Sequence, residues 1–202
     1  MVSLPKGVFM LENILTLKKY SHKTKLTVKS IVAVSLVALA VVLPQIVHLA
    51  AGQAGGVTWL PMYLPALLAG CLLGTAWGLA VGVASPLVSF VLTSLWGSAM
   101  PAAARLPFMI AELAVFAAVS GLFSKNIFKN GLFAFAATAL AIVCGRAVFM
   151  LSVIVFQSVA PFTPALVWSQ IQSGLAGAAA QAVLVPLVVM AVRRLMLKDN
   201  ND

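Results

Sequence analysis

The chain has 202 residues, of which 62% are hydrophobic and 8% are charged, and its net charge is +9. About a quarter of the residues of a soluble protein are charged, so this composition excludes an ordinary soluble domain. The basic residues lie in short segments between apolar runs, which argues against a basic face for nucleic acid. We therefore predict an all-α integral membrane protein without a nucleic-acid partner.

Six apolar stretches are long enough to be membrane-spanning helices, because about 20 helical residues cross the hydrocarbon core. In chain order the predicted spans are residues 30–49, 57–73, 76–95, 106–123, 132–156 and 165–192. Turn residues separate them in the segments 52–56, 74–75, 96–101, 125–130 and 161–164. We accordingly divide the chain into a basic amino-terminal segment (1–29), a six-helix membrane domain (30–194) and a tail (195–202).

The positions of the basic residues predict how the helices are oriented. Eleven of the 13 Lys and Arg residues precede the first span, lie between spans four and five, or follow the sixth. With six spans, these eleven residues fall on one side, so the positive-inside rule predicts that both termini are cytoplasmic. Arg105 stands alone at the opposite face. Residues 8–17 are either a short helix at the lipid interface or part of a disordered basic tail.

Two ionisable residues lie well inside predicted spans, where each costs about 2.5–3.5 kcal/mol on insertion scales. Glu112 in span four is about 10 Å from the outer face and Arg146 in span five about 15 Å, at a helical rise of 1.5 Å per residue. These depths allow the two side chains to meet in the outer half of the membrane. They are either an ion pair that joins two helices or contacts for a polar ligand from outside, and both interpretations can hold together.

Other polar residues lie near the same face. His48 and Trp59 flank the glycine-rich segment 52–56, and Gln170 lies near the outer end of span six. A tryptophan is also expected at a membrane interface without any ligand. Hydroxyl residues at positions 85, 89 and 93 share one helix face, where they usually bond to backbone or to a neighbouring helix. Glycines at positions 70, 74, 78 and 82 predict close helix packing.

Catalytic motifs are missing from the sequence. It contains no HExxH, GxSxG or P-loop pattern, so we expect neither an enzyme nor an ATPase. Cys71 and Cys144 are isolated in apolar runs and lack metal-ligand spacing. We therefore expect no metal and no cofactor.

Five groups of short motifs, rich in glycine, proline and leucine, follow one another along the chain. They lie within residues 48–70, 73–87, 106–122, 145–148 and 174–186. In order and spacing they resemble the substrate-binding S-components of energy-coupling factor (ECF) vitamin transporters, over roughly residues 29–194. The family often has an alanine-xxx-alanine surface on the first span, and here Ser30, Val34 and Ala38 form only a looser version.

The resemblance implies a six-helix subunit of the bacterial plasma membrane that binds a water-soluble vitamin or precursor from outside. It then docks onto a transmembrane T-component with two ATPase subunits, which fits the missing P-loop. The implied ligand site lies near the outer face among spans four to six and the external loops.

The residues of this sequence suggest roles within such a site. Arg146 would anchor an anionic or carbonyl group of the ligand, and Glu112 would orient Arg146 or accept a hydrogen bond. His48, Trp59 and Gln170 would line the entrance. A small acid such as pantothenate suits a buried arginine, while pyridoxine-like, cobalamin and queuosine-type ligands stay open.

Two other classes of protein are alternatives. A stand-alone ion- or proton-coupled carrier would use Glu112 as its protonatable group. A membrane-embedded enzyme would need catalytic groups that the sequence does not show.

Overall fold

The fold consists of helices throughout the part of the chain that the computed structural model describes, residues 10–17, 21–97, 99–156 and 163–198. The helices are α1 (Met10–Leu17), α2 (His22–Trp59), α3 (Tyr63–Leu73), α4 (Thr75–Leu95), α5 (Leu106–Leu122), α6 (Ser124–Lys129), α7 (Phe133–Phe156), α8 (Pro164–Ser173) and α9 (Leu175–Lys198). A 3₁₀ turn, Ala103–Arg105, precedes α5.

Six helical stretches in these ranges are long and apolar enough to cross a membrane, which is the number that the sequence predicts. They are His22–Gly52, Ala54–Leu73, Thr75–Leu95, Ala103–Leu122, Phe133–Phe156 and Leu175–Leu197. The first begins eight residues before the predicted span because the helix extends back into the lysine-containing segment.

The segment 52–56 was predicted to be a turn between the first two spans, and the structure breaks the chain at Gly52, the first residue of that segment, but residues 53–56 are helical. Residues 51–59 are helical apart from a kink at Gly52, whose φ of 66° suits glycine because it has no Cβ. A second break follows at Leu60, which adopts the left-handed conformation with φ 50°. The predicted second span is therefore broken between α2 and α3. Gln181 holds this break, because its Nε2 donates to the Leu60 carbonyl oxygen at 2.7 Å.

Two further boundaries differ from the sequence prediction. The predicted sixth span, 165–192, is not continuous, because the helix breaks at Gly174 between α8 and α9. A Cβ added at Gly174 would lie 2.9 Å from Nη2 of Arg146. Because glycine has no Cβ, the backbone at this break can pass close to the arginine side chain. The predicted turn at 125–130 contains the short helix α6 instead.

Glycines allow three helices to pack with their backbones close together, as their four-residue spacing predicts. A Cβ added at Gly78 on α4 would lie 2.9 Å from the Cα of Gly70 on α3. One added at Gly82 would lie 2.7 Å from the carbonyl oxygen of Leu113 on α5. No side chain fits in these gaps, so α3, α4 and α5 are held at fixed spacing. This packing sets the relative positions of the polar residues on α3 and α5.

The basic segments gather at one end of the bundle. Nε of Arg193 on α9 donates to the Phe128 carbonyl oxygen on α6 at 3.0 Å, and the Met10 amide on α1 donates to Oγ of Ser124 at 3.0 Å. Within residues 8–17, the described part is a helix, and it packs against α3 and α6 with Met10 and Ile14 fully buried. Glu12 of the same helix pairs with Lys29.

Candidate functional site

The side chains of Glu112 on α5 and Arg146 on α7 meet inside the bundle. Nη1 of Arg146 lies 3.2 Å from Oε1 of Glu112, and the glutamate is 0% and the arginine 9% exposed. Tyr63 joins them: its hydroxyl donates to Oε2 of Glu112 at 2.6 Å and accepts from Nη1 of Arg146 at 3.2 Å. We call these three residues the Glu–Tyr–Arg cluster.

Aromatic packing positions the cluster. Phe116 lies one helical turn after Glu112, and its ring packs on the α7 backbone at Gly145, where a Cβ would collide with it. The rings of Phe116 and Tyr63 meet edge to face with centroids 4.7 Å apart. Arg146 follows Gly145 directly, so this contact fixes the backbone that carries the guanidinium. The guanidinium carbon also lies 5.0 Å from the centroid of the Tyr63 ring.

The Glu–Tyr–Arg cluster is balanced in charge but not fully paired in hydrogen bonding. A buried carboxylate needs a counter-charge and hydrogen-bond donors, and Arg146 and Tyr63 supply them. Among the described residues, two buried atoms of the cluster have no hydrogen-bond partner, Nη2 of Arg146 and Oε1 of Glu112, although Oε1 is in the ion pair with Nη1 of Arg146. The carboxylate and the guanidinium cancel in charge, so the cluster carries no net charge.

A chamber of about 330 Å³ lies next to the cluster, where the end of α2, the start of α3, the α4–α5 connection and the start of α5 meet. It is lined by Pro44, His48, Gly56, Val57, Leu60, Pro61, Met62, Tyr63, Ser89, Ala99, Met100, Pro101, Ala102, Arg105 and Met109. Successive spans alternate in direction, so these connections are at the opposite end from the basic segments. Tyr63 belongs both to the chamber wall and to the cluster.

Two nitrogen-bearing side chains of the chamber wall have unpaired atoms. Nε of Arg105 and Nδ1 of His48 are buried and have no hydrogen-bond partner in the part of the chain that the structure describes. The guanidinium of Arg105 lies over the ring of Phe149, with its carbon 5.8 Å from the centroid. A Cβ added at Gly56 would lie 2.7 Å from Cε1 of His48. Glycine at that position therefore leaves space for the imidazole.

Hydroxyl groups of α4 hold the loop that forms one wall of the chamber. The Met100 amide donates to Oγ1 of Thr93 at 2.7 Å, and Oγ of Ser89 donates to the Met100 carbonyl oxygen at 2.8 Å. Ser85, in contrast, bonds back to the carbonyl oxygen of Val81 in its own helix. Two of the three hydroxyls on this face therefore join the helix to the chamber loop.

We expect Thr93→Val to loosen this loop. Valine has nearly the same shape but cannot accept a hydrogen bond, so the Met100 amide loses its partner at a cost of about 1–3 kcal/mol. Hydrogen exchange in the segment 99–105, measured by mass spectrometry, should become roughly 10-fold faster or more by the same energy. Ser94→Ala is the control, because the exposed Ser94 hydroxyl bonds only to Phe90 in its own helix. Equal exchange in both variants would contradict the assignment.

The predicted site residues do not all lie in the chamber. His48 lines the chamber, whereas Glu112 and Arg146 lie behind its wall and contact Tyr63. Trp59 is 51% exposed and is not part of the lining. Gln170 is also outside the lining, although its Oε1 is buried and has no hydrogen-bond partner within the described ranges.

Sequence reasoning did not assign a site role to Tyr63 or Arg105. The sequence could have indicated a role for Arg105, because it is the lone basic residue of the face opposite to the other basic segments. Tyr63 was visible as one of two tyrosines in the chain, between two prolines, but nothing local to it indicated a bond to Glu112. That contact joins residues 49 positions apart. It depends on how α3 and α5 pack.

The described residues contain no group of three or more His, Cys, Asp and Glu side chains suited to a metal ion. The polar groups near the chamber are nitrogen donors and hydroxyls instead. This donor set suits an organic ligand with acceptor groups.

Comparisons with known proteins identify no relative of this chain. No protein-family model matches the sequence, and neither curated proteins nor solved structures give a significant match. The chamber and the Glu–Tyr–Arg cluster therefore carry the functional argument.

Proposed function

We propose that this chain is the substrate-binding S-component of an ECF-type importer in a bacterial plasma membrane, with both termini in the cytoplasm. It captures a water-soluble vitamin or related micronutrient from outside, and a pantothenate-like small acid is our first candidate. The proposal rests on the resemblance of its motifs to this family and on the presence of a suitable chamber.

The chamber is the observation that carries the proposal. Its volume of about 330 Å³ is at the lower end of the range of roughly 300–1,000 Å³ typical of small-molecule pockets. Apolar side chains make up most of the lining, and His48, Tyr63, Ser89 and Arg105 add polar groups. The positive-inside rule places the basic end of the bundle in the cytoplasm. The chamber then lies near the outer face, where an importer receives its ligand.

Energy for uptake comes from partner subunits in this proposal. The sequence contains no P-loop, which fits ATP hydrolysis by two separate ATPase subunits bound to a T-component. The first span would contact the T-component, and its residues Val34 and Ala38 line a shallow apolar groove between α2 and α4.

A stand-alone carrier that uses Glu112 as its protonatable group is the alternative. The carboxylate is fully buried, is paired with Arg146 and does not line the chamber. These features favour a fixed structural charge over a group that exchanges protons with solvent. Uptake by liposomes that contain this chain alone, with proton coupling lost in Glu112→Gln, would support the carrier instead.

Ligand binding without nucleotide tests the proposal. Purified protein in detergent should bind one water-soluble vitamin at a 1:1 ratio by titration calorimetry. Ala102→Trp places a large ring in the chamber and should abolish this binding. Ala104→Trp is the matched control, because Ala104 is exposed in the adjacent 3₁₀ turn and is not part of the lining. Wild-type affinity in Ala102→Trp would show that the chamber is not the binding site.

A further inference from the structure

We propose that the chamber binds an organic monoanion whose carboxylate is held by Arg105 and His48. The Glu–Tyr–Arg cluster then positions the chamber wall and does not anchor the ligand. This inference rests on the proposed function and names the class of ligand and the residue that selects it.

The charge balance at this end of the bundle is uneven. The whole sequence has four acidic residues: Glu12, Glu112, Asp199 and Asp202. Glu12 pairs with Lys29 at the basic end, and the two aspartates are in the last four residues, after α9. Among the described residues, Glu112 is therefore the only carboxylate that the topology places near Arg105 and Arg146. It is paired with Arg146, so one glutamate against two arginines leaves a charge of +1.

The unbalanced charge belongs to Arg105, and its surroundings favour an anion. Its Nε is buried and lacks a hydrogen-bond partner among the described residues, as does Nδ1 of His48, which also lines the chamber. A buried donor without a partner is unfavourable, and a guanidinium binds a carboxylate through two parallel hydrogen bonds. Phe149 under the guanidinium leaves the edge of its plane to make such bonds.

The rest of the lining defines the body of the ligand. Met62, Met100, Met109 and the prolines at 44, 61 and 101 surround the polar groups. These side chains accommodate an apolar or weakly polar body and offer no second cation. A dianionic phosphate ester would keep one negative charge without a counter-charge, so a carboxylate with a single charge fits better. The hydroxyls of Tyr63 and Ser89 can accept or donate hydrogen bonds along the body of the ligand.

Anionic lipid headgroups share this chemistry, because a phosphodiester also carries one negative charge. Arg105 at the end of a span is near the depth at which headgroups lie. A soluble carboxylate and a lipid phosphate differ in how they reach the residue. Measurements with and without anionic lipid therefore separate the two sources.

The test uses matched pairs of probes that differ only in charge: pantothenate and panthenol, nicotinate and nicotinamide, biotin and biotin amide, lipoate and lipoamide. Thiamine, pyridoxine and riboflavin complete the set as uncharged or cationic vitamins. Affinities are measured by titration calorimetry in a neutral detergent. We expect one acid to bind and its uncharged twin to bind at least about 10-fold more weakly, the effect of losing a charge-assisted hydrogen bond.

Variants assign the effect to Arg105. Arg105→Gln should weaken binding of the acid about 10- to 100-fold and leave the weak binding of the uncharged twin unchanged, which a general packing defect would not do. Arg105→Lys should recover part of the affinity. Lys125→Gln, which removes an exposed cation at the basic end, should have no effect on either probe.

The other outcomes would overturn either the inference alone or the inference together with the proposed function. Binding of thiamine, pyridoxine, riboflavin or only the uncharged twins leaves the proposed function in place and overturns the inference. Unchanged affinity of the acid in Arg105→Gln also overturns it. The inference fails as well if that variant loses binding only to nanodiscs that contain phosphatidylglycerol, since Arg105 then serves the lipid. Failure to bind any probe overturns the proposed function together with the inference.

Discussion

Arg146→Met is expected to destabilise the folded protein by about 3–5 kcal/mol, the cost of removing one partner of a buried ion pair. The substitution leaves the Glu112 carboxylate without a counter-charge in a place where it is 0% exposed. The Tyr63 hydroxyl also loses the donor that lies 3.2 Å away. Methionine keeps most of the side-chain volume, so loss of packing contributes little. Reversible unfolding in mixed micelles measures the change.

A double-mutant cycle shows whether the loss comes from the pair. Glu112→Gln combined with Arg146→Met removes both charges, and the amide can still accept a hydrogen bond from Tyr63. We expect this double variant to be more stable than Arg146→Met alone by about 1 kcal/mol or more, because contacting residues couple by about 0.5–3 kcal/mol. Strictly additive losses would mean that the two side chains do not stabilise each other.

Gly82→Val is expected to have the second large effect, a destabilisation of about 3 kcal/mol at the upper end of the range for overpacking. A Cβ at this position would lie 2.7 Å from the Leu113 carbonyl oxygen and 3.1 Å from the Leu113 carbonyl carbon. Because these are backbone atoms, no side-chain rotation relieves the collision. α4 and α5 must therefore move apart. α5 carries Glu112, and Met109 near its start lines the chamber. Ligand binding should therefore be lost together with stability.

Ala80→Val is the matched control for this prediction. Ala80 lies two residues earlier on α4 and is exposed, whereas Gly82 is buried. We expect a change within about 0.5 kcal/mol, as for other surface substitutions. If Gly82→Val unfolded at the same denaturant concentration as this control, the close approach of α4 and α5 would be disproved.

The sequence alone predicted the number of apolar helices and showed that Glu112 and Arg146 lie at depths that allow them to meet. Both conclusions depend on properties that can be read from consecutive residues, namely hydropathy and position within a helix. A helix needs about 20 apolar residues to cross hydrocarbon, and the helical rise of about 1.5 Å per residue converts position into depth. Two ionisable residues at similar depth in neighbouring spans have a strong energetic reason to pair. The four-residue glycine spacing similarly indicated close packing before any contact was known.

The same local reasoning failed where a backbone break depends on its neighbours. The glycine-rich segment 52–56 resembled a turn, and the chain does break at Gly52, but the residues after it are helical and a second, unpredicted break follows at Leu60. Gln181, 121 residues away, donates to the carbonyl oxygen of Leu60. The predicted sixth span was wrong at Gly174 for a similar reason, because the break there lies beside Arg146. Neither partner is visible in a window of neighbouring residues.

The chamber and its polar lining emerged only from the packed helices. Its residues come from α2, α3, α4, α5 and the α4–α5 connection. The resemblance implied a site among spans four to six and the external loops, and the lining includes such connections but no residue of α7, α8 or α9. Arg105 and Tyr63 became site residues because rotation of each helix about its axis brings their side chains to a common space. That rotation reflects many weak packing contacts and close backbone approaches between distant segments, and hydropathy along the chain contains no measure of it.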